Sequence, residues 1–430
     1  MAGISAYGDL QDILSHTELV QLKHTLESVK ILPPTGTTEP ELWGYIVAQG
    51  ISRAEIKSPD KKRIICMAVT SVDTRDMGRP SSWSGKIDQI CSGAEDDERR
   101  LFVVSAGNAS VKGRGSYPDS HIRDSVHDPA QSWNSLTVGA FTQLDQINDK
   151  TLTGYEPIAQ CNGLSPFSTT SAVWDDKWPI KPEIVMEGGN LAKDASGFVT
   201  ECDDLSLLST FYDPQQAHFS PFGMTSASTA IAAWFAAQIQ AEYQSYWPET
   251  IRGLMVHSAE WTDELKRQFL ADDSKNSYKH LLRVCGYGVP SIEKALYCAN
   301  NSLTLIAQSE LQPFEKKENK SEYQANDMHL YELPWPKDAL LGFPDTTKVQ
   351  MRVTLSYFVE PGPGEIGWKD RYRYPSHGLR FNINSSAESQ DDFMRRINKA
   401  ARDAENGHPG TASASKNWVL GEYRNKGSIH

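Results

Sequence analysis

Short apolar runs and longer helical stretches alternate along the chain from Val29 to about Ala259. The run 101–104 is too short for a buried helix and has no polar face, which is typical of a strand buried on both sides. Strands that alternate with helices predict an α/β domain whose mostly parallel sheet is covered on both faces. We place this domain at residues 1–305.

The pattern changes after a charged stretch at 315–322, which we interpret as part of a linker at 306–325. Apolar and polar residues then alternate with a period of two, which predicts half-buried antiparallel strands. A β-rich domain, a partial β-sandwich, is therefore expected at 326–430. The segments that carry the alternation are 329–334, 348–357 and 379–383.

Composition narrows the functional classes. The chain has 430 residues, which exceeds one comfortable core and favours two domains, and a net charge of −12, which argues against nucleic acid as a partner. No apolar run approaches the roughly 18 residues of a membrane helix. The cysteines form no C-x-x-C pair, so we expect reduced thiols and neither a metal nor a cofactor. An N-terminus without the features of a signal peptide favours a cytoplasmic location.

The strongest candidate for chemistry is the sequence Gly-Met-Thr-Ser-Ala-Ser-Thr-Ala at 223–230, which runs into an alanine-rich helix. A serine at a helix N-terminus is held rigidly, and unpaired backbone N–H groups lie beside its oxygen. Alanines suit a helix that is packed closely on all sides. Taken alone, the motif is more often an N-capped core helix.

Other segments of the chain lie in a fixed order and spacing around this motif. One of them, 101–108, is a buried strand that ends in Ala-Gly-Asn. Together with 223–230 these segments resemble the subtilisin-like serine peptidases, the subtilases, over about residues 1–300. They lie at 28–32, 64–70, 101–108, 135–140, 164–168, 181–190 and 246–255.

The resemblance implies a subtilisin-like α/β/α fold and assigns roles to residues. Ser226 matches the nucleophile and Asn108 the side chain that stabilises the oxyanion with the Ser226 backbone amide. An alternative register puts Thr225 in the nucleophile position; Ser226 keeps the Thr-Ser pair intact and leaves Thr225 among the substrate-binding residues. The other implied substrate-binding residues are Ala68, Val69 and Thr70 at the cleft edge and Ser105, Ala106 and Gly107 at the pocket floor.

Those floor residues are small and uncharged, so we expect a pocket for apolar or medium side chains and no selection of Lys or Arg. The loop at 71–84 either covers the cleft or packs on the surface. Met224 stands where the family has glycine, and a positive φ there would strain it.

The N-terminus departs from the family pattern. Residues 1–6 resemble the segment that follows the family's H-G-T motif, so we expect the catalytic histidine, and the aspartate on an earlier strand, before Met1. That strand would lie between 28–32 and 64–69. The chain alone should then fold poorly, or pair with a separate chain that supplies the missing strands.

No other residue of the chain matches these two catalytic positions. Asp73 is interpreted as a loop residue and His377 as part of a strand-like region. The remaining histidines that we considered are interpreted as surface or hydrogen-bonded residues: His16, His24, His121, His127, His218 and His257.

Two classes of function follow. The first is a serine endopeptidase that forms an acyl-enzyme on Ser226 and is inactive as the isolated chain. The second is a non-catalytic module of the same fold that binds peptides or regulates a partner. Both imply peptide or protein partners, and neither implies a nucleic acid or a membrane.

Overall fold

The computed structural model describes residues 1–72, 74, 76–110, 116–300, 304–316, 323–344, 346–347, 349–362, 374–385, 387–405 and 418–430. Asp73 and residues 317–322 of the predicted linker lie outside this set. No helix in the described ranges is long and apolar enough to cross a membrane.

Helices and strands alternate through the first part of the chain, as the apolar pattern predicts. The helices are α1 (Ala2–Tyr7), α2 (Leu10–Ser15), α3 (Trp43–Lys57), α4 (Ser82–Ser92), α5 (Met224–Glu242), α6 (Pro248–Ser258), α7 (Asp263–Phe269), α8 (Lys275–Cys285), α9 (Ile292–Asn300), α10 (Lys337–Leu341) and α11 (Gln390–Glu405). The strands are β1 (Ile64–Met67), β2 (Leu101–Ser105), β3 (Leu136–Thr142), β4 (Glu156–Pro157), β5 (Gly163–Leu164), β6 (Ile184–Glu187), β7 (Ala192–Lys193), β8 (Val199–Thr200), β9 (Leu207–Thr210), β10 (Phe219–Phe222), β11 (Phe314–Lys316) and β12 (Tyr323–Ala325).

The central sheet is mostly parallel. β1 pairs with β2, β2 with β3 and β3 with β6, all in parallel, while the short β5 runs antiparallel to β3. Successive residues of β2 face opposite sides: Phe102 packs with the core under α3 and α4, and Val103 with the core under α5 and α6. The predicted α/β architecture with helices on both faces is confirmed.

One predicted strand lies outside the sheet. Residues 28–32 form no strand; Val29 and Ile31 pack on α3, with Val29 Cγ1 2.9 Å from where a Cβ on Gly50 would lie. Glu27 bonds Arg63 at 2.6 Å. Side-chain packing on a helix thus takes the place of backbone pairing, and within the described residues β1 pairs with β2 alone. Several apolar side chains of this region are exposed: Leu14, Leu19, Val20, Leu22, Leu26, Val29 and Leu32.

Of the later segments for which alternation predicts strands, the end of 348–357 packs against the first part of the chain, whereas 329–334 is exposed. Residues 355–357 and 428–430 exchange backbone hydrogen bonds, and Val359 is fully buried in the core under α3 and α4. The side chains of three successive residues, 357–359, are buried, so the alternation expected of a half-buried strand is not kept there. The described part of 326–430 otherwise contains helices α10 and α11, and the β-sandwich domain stays a prediction.

Arg252 of α6 joins these C-terminal segments to the sheet. Its guanidinium is fully buried and donates to the carbonyl oxygens of Asn134 at 2.6 Å, Tyr357 at 2.7 Å and Ser428 at 2.8 Å. Arginine suits the position because its planar donors can serve several carbonyls at once.

We expect Arg252→Leu to lower the free energy of unfolding by about 3 kcal/mol, because buried carbonyls lose their donors. The exposed Arg395→Leu on α11 is the matched control and should change it by less than about 0.5 kcal/mol. Urea denaturation followed by tryptophan fluorescence measures both. Equal stabilities of the two variants would show that Arg252 does not hold the C-terminal segments in place.

Candidate functional site

The N-terminus of α5 meets the carboxyl ends of β1 and β2. Ala227 and Ala230 are buried against Ile4 of α1, so small side chains allow two helices to approach closely. Met224 donates its N–H to the Gly188 oxygen at 2.6 Å, and the Ser228 hydroxyl donates to the Met186 oxygen at 3.1 Å. These bonds fix the first turn of α5 against the end of β6.

Asn108 follows β2 and contacts this turn. Its Oδ1 accepts from the Thr225 N–H at 3.1 Å and from the Thr225 hydroxyl at 2.8 Å. A backbone N–H can only donate, so the amide orientation is set by the bond. In the described ranges Asn108 Nδ2 has no acceptor, and it is not sealed from solvent. This side-chain donor is therefore available to a ligand beside Thr225.

Ser226 comes next in the chain and is half-buried. Neither its hydroxyl nor its N–H has a hydrogen-bond partner among the described residues. The unpaired Ser226 hydroxyl therefore belongs to the residue that follows Thr225, which binds the Asn108 amide. The backbone N–H of Ser226 is a second unpaired donor beside Asn108 Nδ2. Two such donors beside a nucleophile can stabilise the oxyanion of acyl transfer. The structure brings Asn108, Thr225 and Ser226 together, and the nucleophilic role of Ser226 stays a prediction.

Met224 is strained in the way the sequence suggests. Its φ is +68°, in the left-handed region that favours glycine, whereas Gly223 is extended with a φ of −137°. Gly223 thus does not take over the special conformation. The turn that presents Ser226 therefore stores backbone strain at Met224.

We expect Met224→Gly to be more stable than Met224→Ala by about 1 kcal/mol. Glycine removes a left-handed strain of roughly 1–2 kcal/mol, and the entropy it gains on unfolding offsets about half of that. Alanine keeps the strain and serves as the control for the lost side chain. Denaturation midpoints of the two variants give the comparison, and equal midpoints would refute strain at this residue.

The predicted cleft edge, Ala68 to Thr70, follows the carboxyl end of β1 and is half-buried. Within the described part of the chain, its backbone N–H and C=O groups make no hydrogen bonds, and pairing resumes where the Ser71 N–H donates to the Asp128 oxygen at 2.7 Å. Unpaired main-chain groups beside a sheet can accept an extended peptide as an added strand.

The predicted pocket floor, Ser105 to Gly107, is buried. The Ala106 oxygen accepts from the backbone N–H of His127 and from the Thr169 hydroxyl, both at 2.9 Å. Gly107 has a φ of +94°, and a Cβ there would lie 2.3 Å from His127 Cγ. The imidazole therefore rests directly on the glycine that precedes Asn108. Sequence reasoning missed this contact, because it joins residues that are distant in sequence and no motif contains both.

The loop at 71–84 is partly core. Ser81 caps α4, and Trp83 is buried against Trp43, with ring centroids 4.9 Å apart. Met77 and Arg79, in contrast, line a surface pocket of about 430 Å³ with Trp178. The end of the loop that carries Trp83 thus packs in the core and does not cover the cleft.

Burial shifts the protonation of two groups near the site. It lowers the pKa of His127 below its usual range, against the opposing effect of the Asp124 carboxylate. It raises the pKa of Glu187 to about 7, although the N–H groups of Gln143 and Gly189 donate to this carboxylate. Glu187, on the segment that anchors α5, is thus about half protonated near neutral pH.

The other histidines in the described ranges are engaged away from Ser226 or make no hydrogen bond to it. His121 contacts the Pro166 oxygen, His257 the Thr354 hydroxyl and His377 the Ser376 hydroxyl. No imidazole of the described residues lies at hydrogen-bond distance from the hydroxyl of Ser226 or Thr225. The same ranges contain no cluster of side chains that could hold a metal ion.

A model of the subtilase family, peptidase family S8, matches residues 1–288. The chain belongs to the subtilase family. By family, this subtilase is a serine-type peptidase whose substrates are peptides or proteins. The match spans the site around Asn108 and Ser226, and it confirms the resemblance found in the sequence.

Among solved structures, this subtilase is similar to a lanthipeptide protease, with 17% identity and a TM-score of 0.38 over 63% of this chain and 69% of the other. The patellamide maturation protease PatA shows 18% identity and a TM-score of 0.37 over 60% of this chain and 69% of the other. The prenylagaramide maturation protease PagA shows 16% identity and a TM-score of 0.35 over 59% of this chain and 67% of the other. No curated protein sequence matches significantly.

Proposed function

We propose that this subtilase is an endopeptidase that forms an acyl-enzyme on Ser226. The observation that carries the proposal is a hydroxyl without a partner beside two unpaired donors, Asn108 Nδ2 and the Ser226 N–H. A peptide paired with 68–70 would place its carbonyl carbon at the Ser226 oxygen. The carbonyl oxygen would then develop its negative charge between the two donors.

Thr225 acts as a positioning residue in this proposal. Its hydroxyl and N–H both donate to Asn108 Oδ1, and its side chain is fully buried. The Thr225 hydroxyl is buried and already donates a hydrogen bond, so it is a poor nucleophile. The neighbouring Ser226 hydroxyl is half-buried and has no partner in the described residues. These bonds also turn Nδ2 away from Thr225, which leaves it available as the oxyanion donor.

Acyl transfer also needs a base that takes the proton of Ser226. We propose that the aspartate and histidine of the family reach the site on a polypeptide segment that pairs with the unpaired edge of β1. Two observations support this placement. β1 pairs only with β2 in the described residues, and apolar side chains are exposed between Leu14 and Leu32, a stretch that the ion pair of Glu27 joins to Arg63 just before β1. Strand addition would cover both.

The test compares the chain alone with the chain supplied, in trans or as a fusion, with a polypeptide that carries D-[ST]-G and H-G-T segments. We call the combination the complemented protein. Cleavage of a peptide library, read by mass spectrometry, is expected for the complemented protein and not for its Ser226→Ala variant. Cleavage that persists in that variant would contradict the proposal.

A peptide-binding module is the second candidate, and the lack of an imidazole beside Ser226 in the described residues favours it. In that case, library peptides would bind the chain with affinities unaffected by Ser226→Ala, and the complemented protein would release no products. Binding is measured by fluorescence anisotropy of labelled peptides.

A further inference from the structure

The imidazole of His127 lies on the floor of the substrate pocket. A Cβ on Gly107 would fall 2.3 Å from His127 Cγ and 2.5 Å from Nδ1, so only glycine leaves room for the ring. The backbone N–H of His127 donates to the Ala106 oxygen at 2.9 Å, which fixes the main chain that carries the ring. The residue after Gly107 is Asn108, whose amide we assign to the oxyanion. The histidine ring thus contacts the residue next to the proposed oxyanion donor.

The ring nitrogens of His127 are available to a ligand. The side chain is half-buried, and neither nitrogen has a hydrogen-bond partner in the described part of the chain. Neither nitrogen is sealed from solvent. An imidazole that serves only the fold usually bonds a neighbour through at least one nitrogen, as His121 and His257 do here. The nitrogens of His127, in contrast, have no partner in the described residues, while the ring lies against Gly107.

The groups around the ring are largely uncharged. Gly107, Asn108 and Thr169 carry no charge, and the carboxylate that acts on the imidazole is that of Asp124. The carboxylate of Asp128, next in the chain, accepts from Ser81 and Gln131. Burial lowers the pKa of His127, so the ring takes up a proton at a lower pH than an exposed histidine does.

We propose that His127 is a specificity-determining residue, which donates a hydrogen bond to an acidic side chain, Glu or Asp, of the substrate residue that precedes the cleaved bond. This inference rests on the proposed function. The carbonyl of that residue lies at Asn108 and Ser226, so its side chain passes over Gly107 to the ring.

The chemistry of the pocket favours a carboxylate over other side chains. An apolar side chain would remove water from the ring nitrogens without replacing its hydrogen bonds, which is unfavourable. A lysine can donate only to the unprotonated nitrogen of the neutral ring, and the protonated ring repels it. A carboxylate accepts from the neutral ring, and it accepts a stronger, charge-assisted bond from the protonated ring. The small, uncharged floor alone predicts a pocket for apolar or medium side chains; the imidazole beside Gly107 changes this expectation in favour of a carboxylate.

The full chain tests this without turnover. Fluorescent tetrapeptides that end in Glu, Gln, Leu or Lys mimic the acyl product, and anisotropy gives their affinities at about pH 5.5 and about pH 8. We expect the peptide ending in Glu to bind about tenfold more tightly than the peptide ending in Gln at the lower pH. At the higher pH the ratio of the two affinities should be smaller. The net charge of −12 disfavours acidic peptides in general, so this preference must be local.

Variants separate a specific contact from a structural effect. His127→Ala should abolish the preference for Glu and its pH dependence, and His127→Gln should keep a weak preference without pH dependence, because its amide donates but does not titrate. The matched control is His280→Gln, a half-buried histidine of α8 whose pKa is also lowered by burial. This control should retain the wild-type profile.

The outcomes are distinguishable. Peptides that bind equally well with Glu, Gln and Leu, or a preference that survives His127→Ala, would overturn the role of His127 and leave the peptidase proposal intact. Binding of none of the peptides would overturn the peptide-binding cleft and the inference together. A preference for Glu that follows the pH in the wild-type chain and disappears in His127→Ala would establish the contact.

Discussion

Ser226→Ala is expected to abolish peptide hydrolysis by the complemented protein, with a loss in kcat on the order of 10⁶. The hydroxyl has no partner in the described residues and lies beside the donors that would receive the oxyanion. Without it, only binding and oxyanion contacts remain, and these supply a residual acceleration on the order of 10³ over water. Initial rates on a peptide cleaved by the wild type give the ratio.

Thr225→Ala is the informative comparison, because it removes the adjacent hydroxyl while Ser226 stays in place. The variant retains the backbone N–H that holds Asn108 Oδ1 at 3.1 Å, so its activity should fall only about tenfold. If Ser226→Ala keeps its activity and Thr225→Ala loses it, the nucleophile is Thr225 and the register is shifted by one residue. Unchanged melting temperatures would show that neither loss reflects unfolding.

Asn108→Ala should lower kcat by about 10² to 10³ with little change in KM. The reason is that Nδ2, turned outward by the bonds between Oδ1 and Thr225, meets the substrate oxygen only as negative charge develops on it. Asn108→Asp should lose as much, because a carboxylate offers an acceptor where a donor is required. Steady-state kinetics of the complemented variants separate kcat from KM.

The exposed Asn148→Ala is a control for the loss of an asparagine side chain outside the site. It should leave both kinetic constants unchanged. An Asn108→Ala variant that raises KM while kcat is retained would assign Asn108 to ground-state binding. Such a result would contradict its role in stabilising the oxyanion.

The sequence predicts the core of the fold because strand and helix patterns there agree with their surroundings. The strands 101–105 and 136–142 are mostly apolar and are buried at every residue, so pattern and structure coincide. The segment 28–32 alternates polar and apolar residues, and it packs on α3 through Val29 and Ile31. Local pattern cannot tell which neighbour an apolar segment will meet.

The site was predictable where one residue dictates backbone geometry or chemistry. Met224 at a glycine position predicts strain, and its φ of +68° shows it. The contact between Asn108 and Thr225 follows the family order of segments. The position of His127 could not be predicted, because the ring packs on Gly107, which is 20 residues earlier in the chain and has a φ of +94°. Trp83 lies in the segment 71–84, for which the sequence leaves a cleft cover and a surface loop open, and its burial against Trp43 depends equally on tertiary packing.

A crystal structure of the complemented protein after reaction with diisopropyl fluorophosphate tests the central claim most directly. We expect phosphorus bonded to Ser226 Oγ, with one phosphoryl oxygen about 2.7–3.1 Å from both Asn108 Nδ2 and the Ser226 nitrogen. Phosphorus on Thr225, or a phosphoryl oxygen that points away from Asn108, would contradict the assignment of nucleophile and oxyanion donors.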